Sequence, residues 1–362
     1  MIGSLPATPK KGRGAVSNRS GRFERETRAA VDDGWDLDDA DLPPLRTTVT
    51  VEWPKTIIAR NDSPDIPFDR SINPYKGCEH GCVYCYARPS HAYMGLSSGL
   101  DFESRLFAKP DAATLLEREL SEPGYRPRTI ALGANTDPYQ PIEREHKITR
   151  AVLEVLARFN HPVAITTKSA LVCRDIDILG PMAAKGLAAV GVSICTLDGR
   201  LARALEPRAP TPEKRLAAIA RLAAADIPVA VMVAPMIPVL TDSEMERVLE
   251  RANAAGAVAA AYILLRLPLE LKALFEEWLN AHAPEMANHV LNQMRESRGG
   301  ALYVSDFKTR MTGTGERARL LAQRFERACA KYGLNEKRAT GFDLTTALFK
   351  PPPRPGDQLS LL

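Results

Sequence analysis

Three cysteines within eight residues define the chemistry open to this chain. Cys78, Cys82 and Cys85 stand in a C-x3-C-x2-C array inside Asn73-Pro-Tyr-Lys-Gly-Cys-Glu-His-Gly-Cys-Val-Tyr-Cys-Tyr-Ala-Arg88, and they are half of the six cysteines in the sequence. Thiols buried as small hydrophobes have no need to cluster in this way; thiolates that share a metal do. Two metal readings compete. A closed zinc site takes four ligands, and His80 or His91 would supply the fourth to a Cys3His set. An iron–sulfur cluster takes thiolates as its standard ligands, and one held by only three keeps an iron open to an exogenous ligand.

Such a loop needs a scaffold. The chain has 362 residues, 45% of them hydrophobic and 25% charged, enough to bury a large core. No apolar run reaches bilayer-spanning length, and the N-terminus lacks the apolar stretch of a signal peptide. Clustered thiols in a chain of this kind suit a reducing cytoplasm. A formal charge of +4 permits a polyanionic partner without demanding one.

Residues 1–50 lack apolar periodicity and read as a disordered arm, basic from Lys10 to Arg28 and acidic from Asp32 to Asp41. Over 51–270, strand patterns at Thr129–Gly133, Val163–Thr167, Ala189–Cys195, Val229–Ala234 and Ala259–Leu265 alternate with helical periodicity at Ala112–Leu120, Thr149–Arg158 and Glu213–Ala224. That alternation predicts an α/β domain with a parallel sheet. The pattern turns mainly helical over 271–345, and a Pro-rich tail occupies 346–362.

Polar residues gather where the strands end, which is where function concentrates in β/α barrels. The loop Gly133–Glu143 carries Asn135, Thr136 and Asp137, and the next strand ends at Lys168. In Ala189–Cys195, Val190, Val192 and Ile194 alternate with Gly191, Ser193 and Cys195, which turns the small polar set towards the lumen. Arg208 and Arg266 are able to grip a carboxylate or phosphate bidentately. Cys173 and Cys329 lie at apolar helical spacings and read as core thiols.

The cysteine array, with Tyr84 just before its third member, resembles the signature of the radical S-adenosylmethionine (SAM) superfamily. Asn135-Thr-Asp-Pro-Tyr-Gln-Pro-Ile-Glu143, Thr167-Lys-Ser169, Glu206-Pro-Arg208 and the Pro235/Pro238 strand exit extend the resemblance to its spore photoproduct lyase-like branch, also described as DNA repair photolyase-like, over residues from about 70 to about 310. The resemblance implies a partial (β/α)6 TIM-like barrel with a helical C-terminal extension. It also implies a 4Fe–4S cluster on the three cysteines, SAM on the open iron, an external electron donor such as flavodoxin or ferredoxin, and DNA as substrate. It sets Tyr84 beside the adenine, Asn135, Thr136 and Asp137 at the SAM amino group, and Ser193 at a ribose or carboxylate. Lys168 becomes a contact for cofactor or substrate phosphate, and Arg208 and Arg266 contacts for the SAM carboxylate or substrate phosphate. The lyase proper has a hydrogen-donor cysteine where this chain has Ala134, so Cys195 is the candidate replacement donor.

The last five residues, Gln358-Leu-Ser-Leu-Leu362, resemble the bacterial sliding-clamp-binding motif, a peptide mode of docking. Two alternatives stand beside a DNA enzyme: the same chemistry on RNA, protein or a metabolite, and a non-catalytic metal-stabilised adaptor to the replication machinery. The metal question has a direct check. Anaerobically purified protein is expected to be coloured and to contain iron; colourless, iron-free protein holding zinc would select the Cys3His reading.

Overall fold

The computed structural model describes residues 8–24, 27, 45–336 and 344–352. Its strands among these residues are β1 (Thr48–Val51), β2 (Ile58–Arg60), β3 (Arg70–Ile72), β4 (Tyr75–Lys76), β5 (Arg105–Ala108), β6 (Ile130–Leu132), β7 (Val163–Thr167), β8 (Ala188–Ser193), β9 (Val229–Met236) and β10 (Ala259–Leu264). Seven of them form one sheet in the order β2-β3-β6-β7-β8-β9-β10. Only the β2–β3 pair is antiparallel; from β3 to β10 every neighbour is parallel. This is the expected partial barrel, open between β10 and β2. A smaller sheet, β1-β5-β4, leads directly into the cysteine loop.

Strand parity decides what faces the lumen. Val163, Ile165, Val190, Val192, Ile194, Val229, Val231 and Val233 enter the core beneath the outer helices. The alternate positions Thr166, Gly191, Met232 and Ala234 remain half-buried on the other face. A Cβ at Gly191 would lie 3.4 Å from Met232 Cγ and 3.5 Å from Thr166 Oγ1, so these positions line one concave surface. Small side chains keep that surface open.

The outer helices Ala112–Leu120, Ile148–Arg158, Ile176–Ala184, Pro212–Ala223 and Met245–Ala254 bury their apolar faces in the same core. Thr211 caps one of them, accepting from the Lys214 N–H ahead of a proline at the first helical position. Helices Leu271–His282 and Pro284–Glu296 form a second core that includes Cys82, Tyr84 and Cys195, with Trp278 Nε1 donating to the Ala204 carbonyl at 3.0 Å. The C-terminal helices thus back the cysteine loop. Beyond them, Leu264 N–H donates to the Met311 carbonyl at 2.8 Å, and Arg310 forks onto Asp65 at 2.6 Å through each of two nitrogens. The segment near 310 therefore links the β10 edge to the β2–β3 connection across the open side. At the opposite end of the strands, Phe349 packs among Tyr125, Phe159 and His161. No helix among the described residues is long and apolar enough to cross a membrane.

One expectation is corrected here. Residues 8–24, read from sequence as part of a disordered arm, pack against the cysteine loop. Gly14 and Ala15 N–H groups donate to the Glu103 carboxylate at 2.9 and 2.8 Å. Arg13 Nη1 donates to the Glu103 carbonyl at 2.7 Å, Ser17 Oγ to Glu277 at 2.6 Å, and Arg22 forks onto Glu270. The reason is steric as well as polar: a Cβ at Gly14 would stand 1.8 Å from the Gly81 carbonyl oxygen, so only glycine lets the two backbones meet. Phe23 does contact the domain, at Tyr93. Trp35, the acidic block and Gln358–Leu362 lie outside the described residues.

Glu103 is wholly buried and also pairs with the buried guanidinium of Arg88. Removing one partner of a buried pair leaves an uncompensated charge. Glu103→Ala is therefore expected to destabilise the metal-free protein by about 3–5 kcal/mol, read as a lower urea midpoint, and to expose residues 8–24 to protease. A change within about 0.5 kcal/mol, the usual span of a surface substitution, would refute this account.

Candidate metal centre at the mouth of the barrel

The cysteine loop follows β3 and β4 and is held from every side. Arg88, three residues past Cys85, satisfies all its N–H donors: Nε on the Cys82 carbonyl at 2.8 Å, Nη1 on Ser98 and Gly99 carbonyls, Nη2 on the Gly81 carbonyl and Glu103. Cys78 N–H donates to the Phe102 carbonyl at 3.0 Å, and Cys85 N–H to the Cys82 carbonyl at 3.2 Å. Gly77 and Gly81 take φ of 74° and 70°, which lets the loop reverse tightly. A Cβ on Gly81 would meet Glu103 Oε2 at 2.7 Å, so a side chain at this position would have to displace the buried Glu103 carboxylate.

From the β6 side, Gln140 is fully buried and bridges the loop: its Oε1 accepts from Glu79 N–H at 2.9 Å, while Nε2 donates to the Gly77 carbonyl at 3.1 Å. Thr136 Oγ1 donates to the same carbonyl at 2.8 Å. Asp137 accepts from Thr167 Oγ1 at 2.6 Å, Lys168 N–H at 2.8 Å and Tyr139 N–H at 2.9 Å, and lies 3.3 Å from His80 Nδ1. Burial alone would raise the Asp137 pKa, but His80 and these hydrogen bonds bring it down to about 2. Burial would likewise lower the His80 pKa, yet Asp137 and the Cys78 thiolate raise it to about 10.

That electrostatic arrangement bears on the metal. The His80 imidazole is held between Asp137, 3.3 Å from its Nδ1, and Cys78. His91 directs Nε2 to the Arg105 carbonyl at 2.9 Å, its ring set edge-on to Phe102 and Phe107. Neither histidine is presented as a fourth ligand. The donor set is three free thiols, Cys78 and Cys82 buried and Cys85 half-buried, which fits a thiolate-bound cluster with one open position. Burial pushes the Cys82 thiol well up, Lys168 opposing and Glu206, Cys78 and Cys85 reinforcing. Burial, and next the neighbouring Cys78, push Cys85 up as well. Metal binding at such thiols must expel protons.

The remaining predicted residues divide into two groups. Thr136 spends its hydroxyl on the loop, Asp137 is taken up by Thr167, the Lys168 N–H and His80, and Arg208, expected at a cofactor or phosphate, pairs with Glu79 at 3.0 Å beside Cys78. Tyr84 is buried and donates its hydroxyl to Glu206, which Arg215 also engages. Cys195 is 1% exposed and donates its thiol to Glu206 Oε1 at 3.4 Å. The Ala134 backbone carbonyl accepts from the Tyr86 hydroxyl.

The second group keeps unused donors among the described residues. Lys168 has its Nζ 5.7 Å from the Tyr84 ring centre with no carboxylate partner. Arg266 lies over the Tyr86 ring at 4.6 Å, its polar contact being Met311 Sδ at 3.3 Å. Asn135 engages Asn73 only through its backbone N–H, and Ser193 engages Arg215 only through its carbonyl. Gln140, Arg88, Glu103 and Glu206 were not singled out from sequence as site residues. Arg88, Gln140 and Glu206 stand inside the motifs named above, which is the signal that finds them; nothing in the spacing of Glu103 marks it.

Comparison with known proteins places this geometry. Residues 72–252, half of the chain, match the family model of the radical SAM superfamily. Uncharacterized proteins of Mycobacterium tuberculosis and Mycobacterium bovis are 37% identical over 225 residues, covering 62% of this chain and 66% of theirs. A relative in Methanocaldococcus jannaschii is 31% identical over 173 residues, 48% of this chain and 62% of that one. The chain thus spans just under two thirds of the length of the curated relatives it matches. Among solved structures, spore photoproduct lyase complexed with dinucleoside spore photoproduct superposes with a TM-score of 0.56 at 15% identity, covering 79% of this chain and 80% of that one. A mutant of that lyase with bound AdoMet and the same dinucleoside gives 0.51 at 16%, with the same coverage. With three clamped thiols at the mouth of a six-strand parallel half-barrel and a superfamily match over half its length, the chain belongs to the radical SAM superfamily.

Proposed function

We propose that this protein is a radical SAM enzyme that holds a 4Fe–4S cluster on Cys78, Cys82 and Cys85 and acts on DNA in lesion repair, in the manner of spore photoproduct lyase. The observation that carries the reading is the three-thiol loop facing a small-residue lumen, with the unused donors of Asn135, Lys168, Ser193 and Arg266 around it. When bound and reduced by one electron, the cluster supplies the electron that cleaves SAM to methionine and a 5′-deoxyadenosyl radical. The chain's own part is to bind, orient and exclude water. Lys168 and Ser193 are suited to the SAM carboxylate and hydroxyls, Asn135 to its amino group, and Arg266, stacked on Tyr86, to a substrate phosphate. A lesion within duplex DNA would have to leave the stack to reach this mouth. DNA is favoured by the likeness to a lyase solved with a dinucleoside photoproduct.

Cys195 shares a buried cluster with Cys82 and Tyr84 and remains the candidate hydrogen donor. Cys195→Ala should leave SAM cleavage intact while diverting the substrate product; unchanged product would end that role.

The decisive assay is 5′-deoxyadenosine release by anaerobically reconstituted, reduced protein with no DNA, intact DNA and irradiated DNA. Irradiated DNA is expected to raise release and to lose its lesion. Release indifferent to DNA would move the substrate to RNA, protein or a metabolite, and no release at all would favour the adaptor reading. A second test concerns retention. Gln140→Leu leaves the Glu79 N–H unpaired, at a cost of about 1–3 kcal/mol, and the Gly77 carbonyl with Thr136 Oγ1 as its remaining donor. It should therefore bind less iron per chain than the parent while keeping its far-ultraviolet circular dichroism.

A further inference from the structure

The segment Leu205–Arg208 grips the cysteine loop from the β8 side. Val83 N–H donates to the Leu205 carbonyl at 3.0 Å, and Arg208 N–H to the His80 carbonyl at 3.2 Å. Between these fasteners Glu206 is 1% exposed. Its Oε1 accepts from the Tyr84 hydroxyl and from Cys195 Sγ at 3.4 Å, while Oε2 takes the Arg215 guanidinium. Arg215, equally buried, uses its other donors on the Ser193 carbonyl at 3.0 Å and the Pro210 carbonyl at 2.8 Å. One carboxylate therefore joins the middle of the C-x2-C pair to the end of β8.

A buried ion pair is weak evidence for stability, since apolar residues of similar volume often serve as well. What apolar residues cannot do is orient a phenol and a thiol, or hold a negative charge against the loop that carries Cys82. We propose that Glu206 is a positioning residue of the cluster site, fixing Tyr84 and the β8 exit relative to the thiols and setting the cluster's reduction potential through its charge. Cluster potentials respond to nearby charge and hydrogen bonding. A negative charge beside the cluster disfavours the added electron and lowers the potential. The Arg215 guanidinium offsets that carboxylate from one side, and the Tyr84 hydroxyl donates to it from the other and reduces its charge further. The two ends of one hydrogen bond should then act with opposite sign.

This inference rests on the cysteines holding a 4Fe–4S cluster, so the wild-type full-length chain is reconstituted first; failure to load iron and sulfide would overturn the site reading itself. Glu206→Gln and Tyr84→Phe are then titrated potentiometrically, with the reduced cluster followed by electron paramagnetic resonance. Glu206→Gln should shift the midpoint to a more positive value, and Tyr84→Phe to a more negative one. A merely structural role would lower iron content in both and move neither midpoint in this paired way. Wild-type midpoints in both loaded variants, or shifts of the same sign, overturn the proposal. Should Glu206→Gln fail to fold, Tyr84→Phe decides alone, because it removes one hydroxyl: a negative shift sustains the proposal and an unmoved midpoint overturns it.

Discussion

The architecture of the site depends on one buried ion pair. Arg88 and Glu103 are both closed to solvent, and between them they reach three pieces of chain that have no regular structure in common. Arg88 collects the carbonyls that the cysteine loop turns inward; Glu103 collects the N–H groups of the N-terminal segment. Irregular backbone in a protein interior must find partners for both kinds of group, and here a fork of donors and a pair of acceptors do so back to back. The loop owes its fixed shape to this, because it has neither helix nor strand of its own.

Around that pair the molecule separates construction from reception. Thr136 and Gln140 are engaged by the loop they support, Asp137 by the end of β7, and Arg208 pairs with Glu79 of the loop. Lys168, Arg266, Asn135 and Ser193 are not saturated, and they belong to strand ends or their exits. The charges follow the same division. Lys168 faces the Cys82 thiol with a positive charge, and Glu206 faces it with a negative one that adds to the upward push of burial.

The parallel sheet was legible in the sequence because it rests on short-range regularity, a period of two. The five expected strands appear within a residue or two of where alternation placed them. What stayed illegible depends on distant partners. Residues 8–24 show no periodicity, since they contribute glycine backbone and single polar groups to a surface made elsewhere. Thr136 and Asp137 were recognisable as important, but whether a hydroxyl turns to a carbonyl or to a ligand depends on residues a loop away. Arg208 looked like an anion receptor because guanidinium fits carboxylate, and a carboxylate is indeed what it holds; the chain supplies that carboxylate itself, at Glu79.

The contact between Ser17 and Glu277 joins positions separated by 260 residues, and Arg22 reaches Glu270 in the same way. Such closures come late in folding, because long loops must be ordered before they yield any gain. The cysteines leave the ribosome early, yet the last wall of their pocket is the helix Leu271–His282. Closing the pocket around the thiols therefore waits on contacts between residues far apart in the chain.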